Sequence, residues 1–130
     1  MFFFGKKKKA AEQPAAEAKP VVDRQELVAQ AEQRKAALES APDKAARIRL
    51  LNEIGSLYFQ AEEVDQAIVY YEKSLEEDKQ LGKAYTDLLK LYNLKRQEAA
   101  AAKDDANLTF YMNKVQELMQ LSKDVIRGKV

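Results

Sequence analysis

The sequence has no cysteine and no histidine. Without cysteine, the chain can form no disulfide, no thiolate nucleophile and no sulfur-ligated metal site. Without histidine, it lacks the side chain most often used as a general base and as a transition-metal ligand. We therefore expect a protein that is not an enzyme and that has no metal site and no cofactor. The lack of cysteine also fits a cytoplasmic location, although some extracellular chains lack cysteine as well.

The acidic side chains that could replace histidine in catalysis occur as three adjacent pairs. Each pair falls near the predicted end of a helix, where carboxylates cap backbone N–H groups or face solvent. We interpret them as helix-end residues rather than as a catalytic dyad. The pairs are Glu62-Glu63, Glu76-Glu77 and Asp104-Asp105.

Glycine and proline are also scarce, with four and three copies in 130 residues. Because these residues mark many turns, their scarcity favours long helices in one domain. The formal net charge is only +1, so no global field attracts nucleic acid, and we expect no nucleic-acid partner. Residues 1–20 carry five lysines and two glutamates, whereas the other 110 residues carry 17 basic and 19 acidic side chains. The positive charge is therefore concentrated at the start of the chain.

The first nine residues, MFFFGKKKK, place three phenylalanines before four lysines. This order is the reverse of a signal peptide, whose positive charge precedes the apolar core. One interpretation is a weak membrane anchor, with rings in the headgroup boundary and lysines on anionic lipid. The other is a solvated charge run at a disordered terminus. The membrane interpretation has seven contact residues: Phe2, Phe3, Phe4, Lys6, Lys7, Lys8 and Lys9.

Residues 10–20 hold two prolines and no aromatic or large aliphatic residue. Such a composition buries too little surface to offset the entropy of ordering. We therefore predict a disordered basic tail over residues 1–20 and a helical domain over residues 21–130. No stretch approaches the ~18 apolar residues of a transmembrane helix.

Apolar residues at helical spacing predict five helices, and the fold class is therefore all-α with antiparallel helical hairpins. Helix 4 has no large apolar residue after Leu94, so we expect its last turns to project partly into water. The predicted apolar face of helix 5 includes Met112, Met119 and Ile126. The helices are predicted over about residues 23–39, 43–61, 64–78, 81–102 and 105–127.

Helices 2 and 4 share a pattern with an offset of 34 residues. Leu51, Ile54, Gly55 and Tyr58 align with Tyr85, Leu88, Leu89 and Tyr92. A 34-residue period built from helix pairs is typical of tetratricopeptide repeats. The aromatic pair Tyr70-Tyr71 of helix 3 matches Phe110-Tyr111 of helix 5 at an offset of 40. This offset exceeds 34 by six, which predicts six extra residues in the second hairpin.

The segment from Ile48 to Leu81 resembles a tetratricopeptide repeat in Gly55, Tyr58, Ala67 and Tyr71. It departs from the family at Leu51, where tryptophan is commonest, and at Lys79, where proline is usual. The resemblance implies one clear repeat over about 48–81 and a divergent repeat over about 82–121. It also explains a glycine within a helix, because two small residues, Gly55 and Ala67, let the crossing backbones approach closely.

The family's binding surface is a concave groove lined by the first helix of each repeat. The same groove in this chain would imply a non-enzymatic adaptor that binds a protein or peptide. The basic residues of the groove would suit an acidic segment. The alternatives are a solvated face without a ligand and a small peripheral membrane protein tethered by its Phe-Lys terminus. The sequence does not define an oligomeric state. The implied groove residues are Arg49, Asn52, Ser56, Phe59, Gln60, Lys83, Thr86, Lys90 and Asn93.

Overall fold

A computed structural model describes residues 23–128, which form five helices and no strand. This part of the chain is all-α, as predicted, and each helix end lies within two residues of its predicted position. The predicted tail over residues 1–20 and its seven membrane-contact residues lie outside the described residues. The helices are α1 (Arg24–Leu38), α2 (Lys44–Gln60), α3 (Val64–Glu77), α4 (Lys83–Ala101) and α5 (Asp105–Ile126).

Aspartate side chains cap the start of three helices. The carboxylate of Asp23 accepts the backbone N–H of Gln25 at the start of α1. In the same way, Asp43 caps α2 and Asp104 caps α5. Each cap satisfies one of the N–H groups that have no partner within the first helical turn, which fixes where the helix begins.

The turns that follow α2 and α4 have the same backbone geometry. Glu62 and Lys103 adopt positive φ angles of 62° and 56°. At each turn, two successive N–H groups donate back to carbonyls of the last helical turn, as in a Schellman motif. The two hairpins are therefore closed by equivalent three-residue turns, 61–63 and 102–104.

These equivalent turns are 41 residues apart, whereas the helix pattern before them repeats at 34. The first helix of the second hairpin thus has seven more residues between the repeat pattern and its turn, whereas the aromatic pairs predicted six extra residues in the hairpin. Seven residues make about two α-helical turns, or ~10 Å, so the insertion keeps the phase of the helix. The longer hairpin can therefore present the same face to α3 and still extend past it.

The helices pack in chain order as successive hairpins, and α2 also contacts α4. Their apolar stripes meet in one core, whose largest fully buried apolar side chains are Tyr71, Leu51, Ile54, Leu88 and Leu91. Leu91 is a core residue that the predicted face of helix 4 missed. The core cluster takes at least one residue from every helix, from Ala31 in α1 to Leu118 in α5.

Gly55 lies where α2 crosses α3. A Cβ atom at this position would be 2.9 Å from two ring carbons of Tyr71. Tyr71 is fully buried, so the ring cannot move away without disturbing the core. The close approach that we predicted exists, but the neighbour that requires glycine is the Tyr71 ring and not Ala67.

The last turns of α4 project partly into water, as predicted, because Glu98, Ala100 and Ala101 are exposed, although Ala99 is buried and α5 runs back along this helix. The predicted apolar face of α5 needs correction. On α5, only Leu118 is buried. The predicted core residues Met112, Met119 and Ile126 keep 44%, 50% and 75% of their surface exposed. The reason is that, among the described helices, α5 packs closely against α4 alone, which covers one stripe of its surface.

Candidate functional site

An open depression of about 470 Å³ lies between α1, α2 and the start of α4. It brings together five of the nine predicted groove residues: Arg49, Asn52, Ser56, Gln60 and Lys83. Four of them follow one another along α2 at helical spacing, so they share one face of that helix. The sequence reasoning missed Arg34 of α1, which also lines the depression, because the carried-over positions came only from helices 2 and 4.

Hydrogen bonds fix the polar side chains of the depression. The buried Ser74 hydroxyl donates to Asn52 Oδ1 at 2.6 Å, which ties α2 to α3. Gln60 Nε2 donates to Ser56 Oγ at 3.1 Å. Because these groups already have partners within the protein, a ligand would rely mainly on the charged side chains around them.

Among residues 23–128, three cationic side chains and the carboxylate of Glu53 line the depression. Arg34 Nε lies 3.1 Å from Glu53 Oε1, so this carboxylate is already paired. Within residues 23–128, Arg49 forms no ion pair and its side chain faces solvent. Lys83 is itself paired with Asp87, so Arg49 is the lining cation that remains available to an acidic ligand.

Lys83 is held at the rim by a network that extends into the core. Its Nζ atom lies 2.9 Å from Asp87 Oδ2, and Asp87 is nearly buried. The same carboxylate oxygen accepts the hydroxyl of Tyr71 at 2.7 Å. The network therefore links a rim cation to the tyrosine that packs against Gly55. No sequence pattern singled out Asp87, because an aspartate between polar and apolar residues of a helix is usually exposed.

The other four predicted groove residues do not line this depression. Phe59 is partly buried against the core cluster. Thr86 donates to the carbonyl of Gly82, and Asn93 donates to the carbonyl of Leu89. Lys90 is exposed on α4. The implied groove along both helices is therefore reduced to a shorter site at α2 and the first turn of α4.

Two core tyrosines predict an alkaline dependence of stability. Burial raises the pKa of Tyr71, and hydrogen bonding to Asp87 raises it further. Burial and the bond to Glu72 raise the pKa of Tyr92 in the same way. Because the folded state holds these protons more tightly, the stabilisation is complete below the ordinary tyrosine pKa of 10.0 and is lost as the pH rises above it.

We expect the urea midpoint of unfolding to begin to fall at about pH 10 and to keep falling at higher pH. Phenolate absorbance from Tyr71 and Tyr92 should appear together with the loss of helical circular dichroism. Replacement of Tyr71 by phenylalanine should make the fall in midpoint shallower. An equal pH dependence in Tyr71→Phe and the wild type would contradict this assignment.

Comparison of the chain with protein-family models, with curated proteins and with solved structures gives no match. In residues 23–128, no helix combines the length and the apolar character that crossing a bilayer requires. The acidic side chains of the same region form no group of three or more that could hold a metal ion.

Proposed function

We propose that this protein is a non-enzymatic adaptor that binds an acidic segment of a protein in the depression between α1, α2 and α4. The observation that carries the proposal is the convergence of Arg34, Arg49 and Lys83 around an opening where the lining carboxylate, Glu53, is already paired. The resemblance to tetratricopeptide repeats supports a peptide ligand. The helical hairpins supply a rigid frame for such a site.

Arg49 is the side chain most suited to direct recognition. It has no ion-pair partner within residues 23–128, so binding would not first have to break an internal bond. Its guanidinium offers a planar fork of donors that matches a carboxylate. Lys83, in contrast, is shared with Asp87, and it would mainly add to the positive potential.

We expect reversal of charge at Arg49 to abolish most of the binding. A charge-assisted hydrogen bond is worth ~1.5–3 kcal/mol, so Arg49→Glu should weaken binding at least about tenfold. Peptides would be selected from a random library on the full chain, and the dissociation constant of a selected peptide would be measured by fluorescence anisotropy. Added salt should weaken the binding of the wild type.

Lys90→Glu is the matched control, because Lys90 is an exposed cation of the same domain that does not line the depression. This variant has a net charge equal to that of Arg49→Glu and should bind almost like the wild type. Selected peptides without enrichment in aspartate and glutamate would refute the proposal. Equal loss of binding in Arg49→Glu and Lys90→Glu would show that binding depends on net charge alone and not on the depression.

A further inference from the structure

A second groove lies on another part of the molecule, between α3 and α5. The two helices do not pack against each other closely, and both flank α4. The groove has a volume of about 250 Å³ and an apolar floor that includes Leu75, Leu88, Tyr92 and Leu118. This volume is below the ~300–1,000 Å³ of small-molecule sites, so it suits side chains of a polypeptide segment.

The charged residues of this groove have a net charge of −1. Glu72, Glu76 and Glu117 line it, together with Lys79 and Lys114. Glu72 already accepts the Tyr92 hydroxyl and lies 3.9 Å from Lys114 Nζ. Glu76 and Glu117 are exposed, and within residues 23–128 neither forms an ion pair. The groove therefore suits a segment that combines large apolar side chains with lysine or arginine.

The chain itself contains a segment of this composition, the three phenylalanines and four lysines of residues 2–9. We infer that residues 2–9 bind in the α3/α5 groove of the same chain, with a phenylalanine ring on the apolar floor and lysines at Glu76 and Glu117. Residues 2–9 lie outside the described residues, so the inference uses their sequence and the geometry of the groove. It is independent of the acidic-segment site, which is on α2.

The connecting chain is long enough for binding within one molecule. The start of α1 lies beside the α2–α3 turn, where Arg24 Nε donates to the Ala61 carbonyl at 2.6 Å. From that turn, the groove begins about nine residues along α3, or ~14 Å. The 14 peptide units between Lys9 and Asp23 reach up to ~46–50 Å when extended. A link of this length gives an effective concentration near the millimolar range, which favours the chain's own segment over that of a second copy.

Zero-length carbodiimide cross-linking of the full chain tests the inference, because it joins lysine amines to carboxylates in direct contact. Mass spectrometry of the monomeric product should find residues 6–9 joined to Glu76 or Glu117. The exposed Glu26 of α1 serves as a reference, since it is closer in sequence to the lysines but outside the groove. We expect it to react much less.

A variant with Phe2→Ser, Phe3→Ser and Phe4→Ser separates binding in the groove from simple attraction of charges. It retains every lysine and glutamate, so a loose electrostatic encounter would leave the cross-links unchanged. If the rings bind the apolar floor, the yield at Glu76 and Glu117 should fall about tenfold. Circular dichroism would verify that both proteins are equally helical.

Three outcomes would overturn the inference. These are equal yields at Glu26 and the groove glutamates, unchanged yields in the serine variant, and cross-links found only between two chains. A parallel measurement adds vesicles of phosphatidylcholine and phosphatidylserine to the full chain. Co-sedimentation that requires the phenylalanines, without groove cross-links in solution, would assign residues 2–9 to a membrane surface instead.

Discussion

Replacing Gly55 with leucine should lower the free energy of unfolding by about 3 kcal/mol, although leucine is the better helix former. Even the first added carbon would lie 2.9 Å from the Tyr71 ring, well inside van der Waals contact. The ring has no free space, because Tyr71 is fully buried and its hydroxyl donates to Asp87. The measurement is urea denaturation followed by circular dichroism.

The matched control is Ala45→Leu, since Ala45 is exposed on the same helix. There the same side chain should change stability by less than ~0.5 kcal/mol. An unchanged or raised midpoint for Gly55→Leu would mean that α2 and α3 do not cross closely at this residue.

Gly55→Ala can be measured in two backgrounds to identify the opposing neighbour. In the wild type, contact with Tyr71 should outweigh the helix propensity gained. In a Tyr71→Leu background the ring is gone, and alanine should then stabilise the helix by up to ~1 kcal/mol. This reversal of sign is specific to the Gly55–Tyr71 contact. If Ala67 were the decisive neighbour instead, alanine would be unfavourable in both backgrounds.

The helices and most of the core could be predicted from sequence because both depend on local patterns. Apolar spacing predicts where the helices lie, and Gly55 and Tyr71 both belong to the repeat pattern. Which residues contact each other across two helices cannot be predicted from such local patterns. It depends on how the helices are rotated and shifted against each other, and for this reason the sequence could not distinguish Ala67 from Tyr71 as the neighbour of Gly55.

The apolar face of α5 shows a second limit of sequence reasoning. Periodicity identifies which residues share a side of a helix, but not how many neighbours the helix has. Met119 and Leu118 are adjacent in sequence and both apolar, yet only Leu118 meets α4 and is buried. The same limit applies to the candidate site, where Arg34 joins Arg49 only through the packing of α1 on α2.

The buried network of Asp87 leads to the second large effect. Asp87→Ala should lower the free energy of unfolding by roughly 2–3 kcal/mol, because it removes the carboxylate that accepts the buried Tyr71 hydroxyl. Asp87→Asn should cost about 1 kcal/mol, since its carbonyl oxygen can still accept the hydroxyl. Thr86→Ala, at an exposed neighbouring residue, is the control and should change stability by less than ~0.5 kcal/mol.

A double-mutant cycle with Tyr71→Phe distinguishes this hydrogen bond from a general effect of a smaller side chain. Without the tyrosine hydroxyl there is no donor to leave unsatisfied, so Asp87→Ala should cost about 1–2 kcal/mol less in the Tyr71→Phe background. Equal costs in both backgrounds would show that the Tyr71–Asp87 bond contributes nothing to stability. Lys83, whose side chain is 62% exposed, would lose the partner that holds it at the rim of the depression. Because Asp87→Asn removes a negative charge beside Lys83, it raises the positive potential of the depression. Under the proposed function, binding of an acidic peptide should therefore be unchanged or tighter in Asp87→Asn, in contrast to the loss expected for Arg49→Glu.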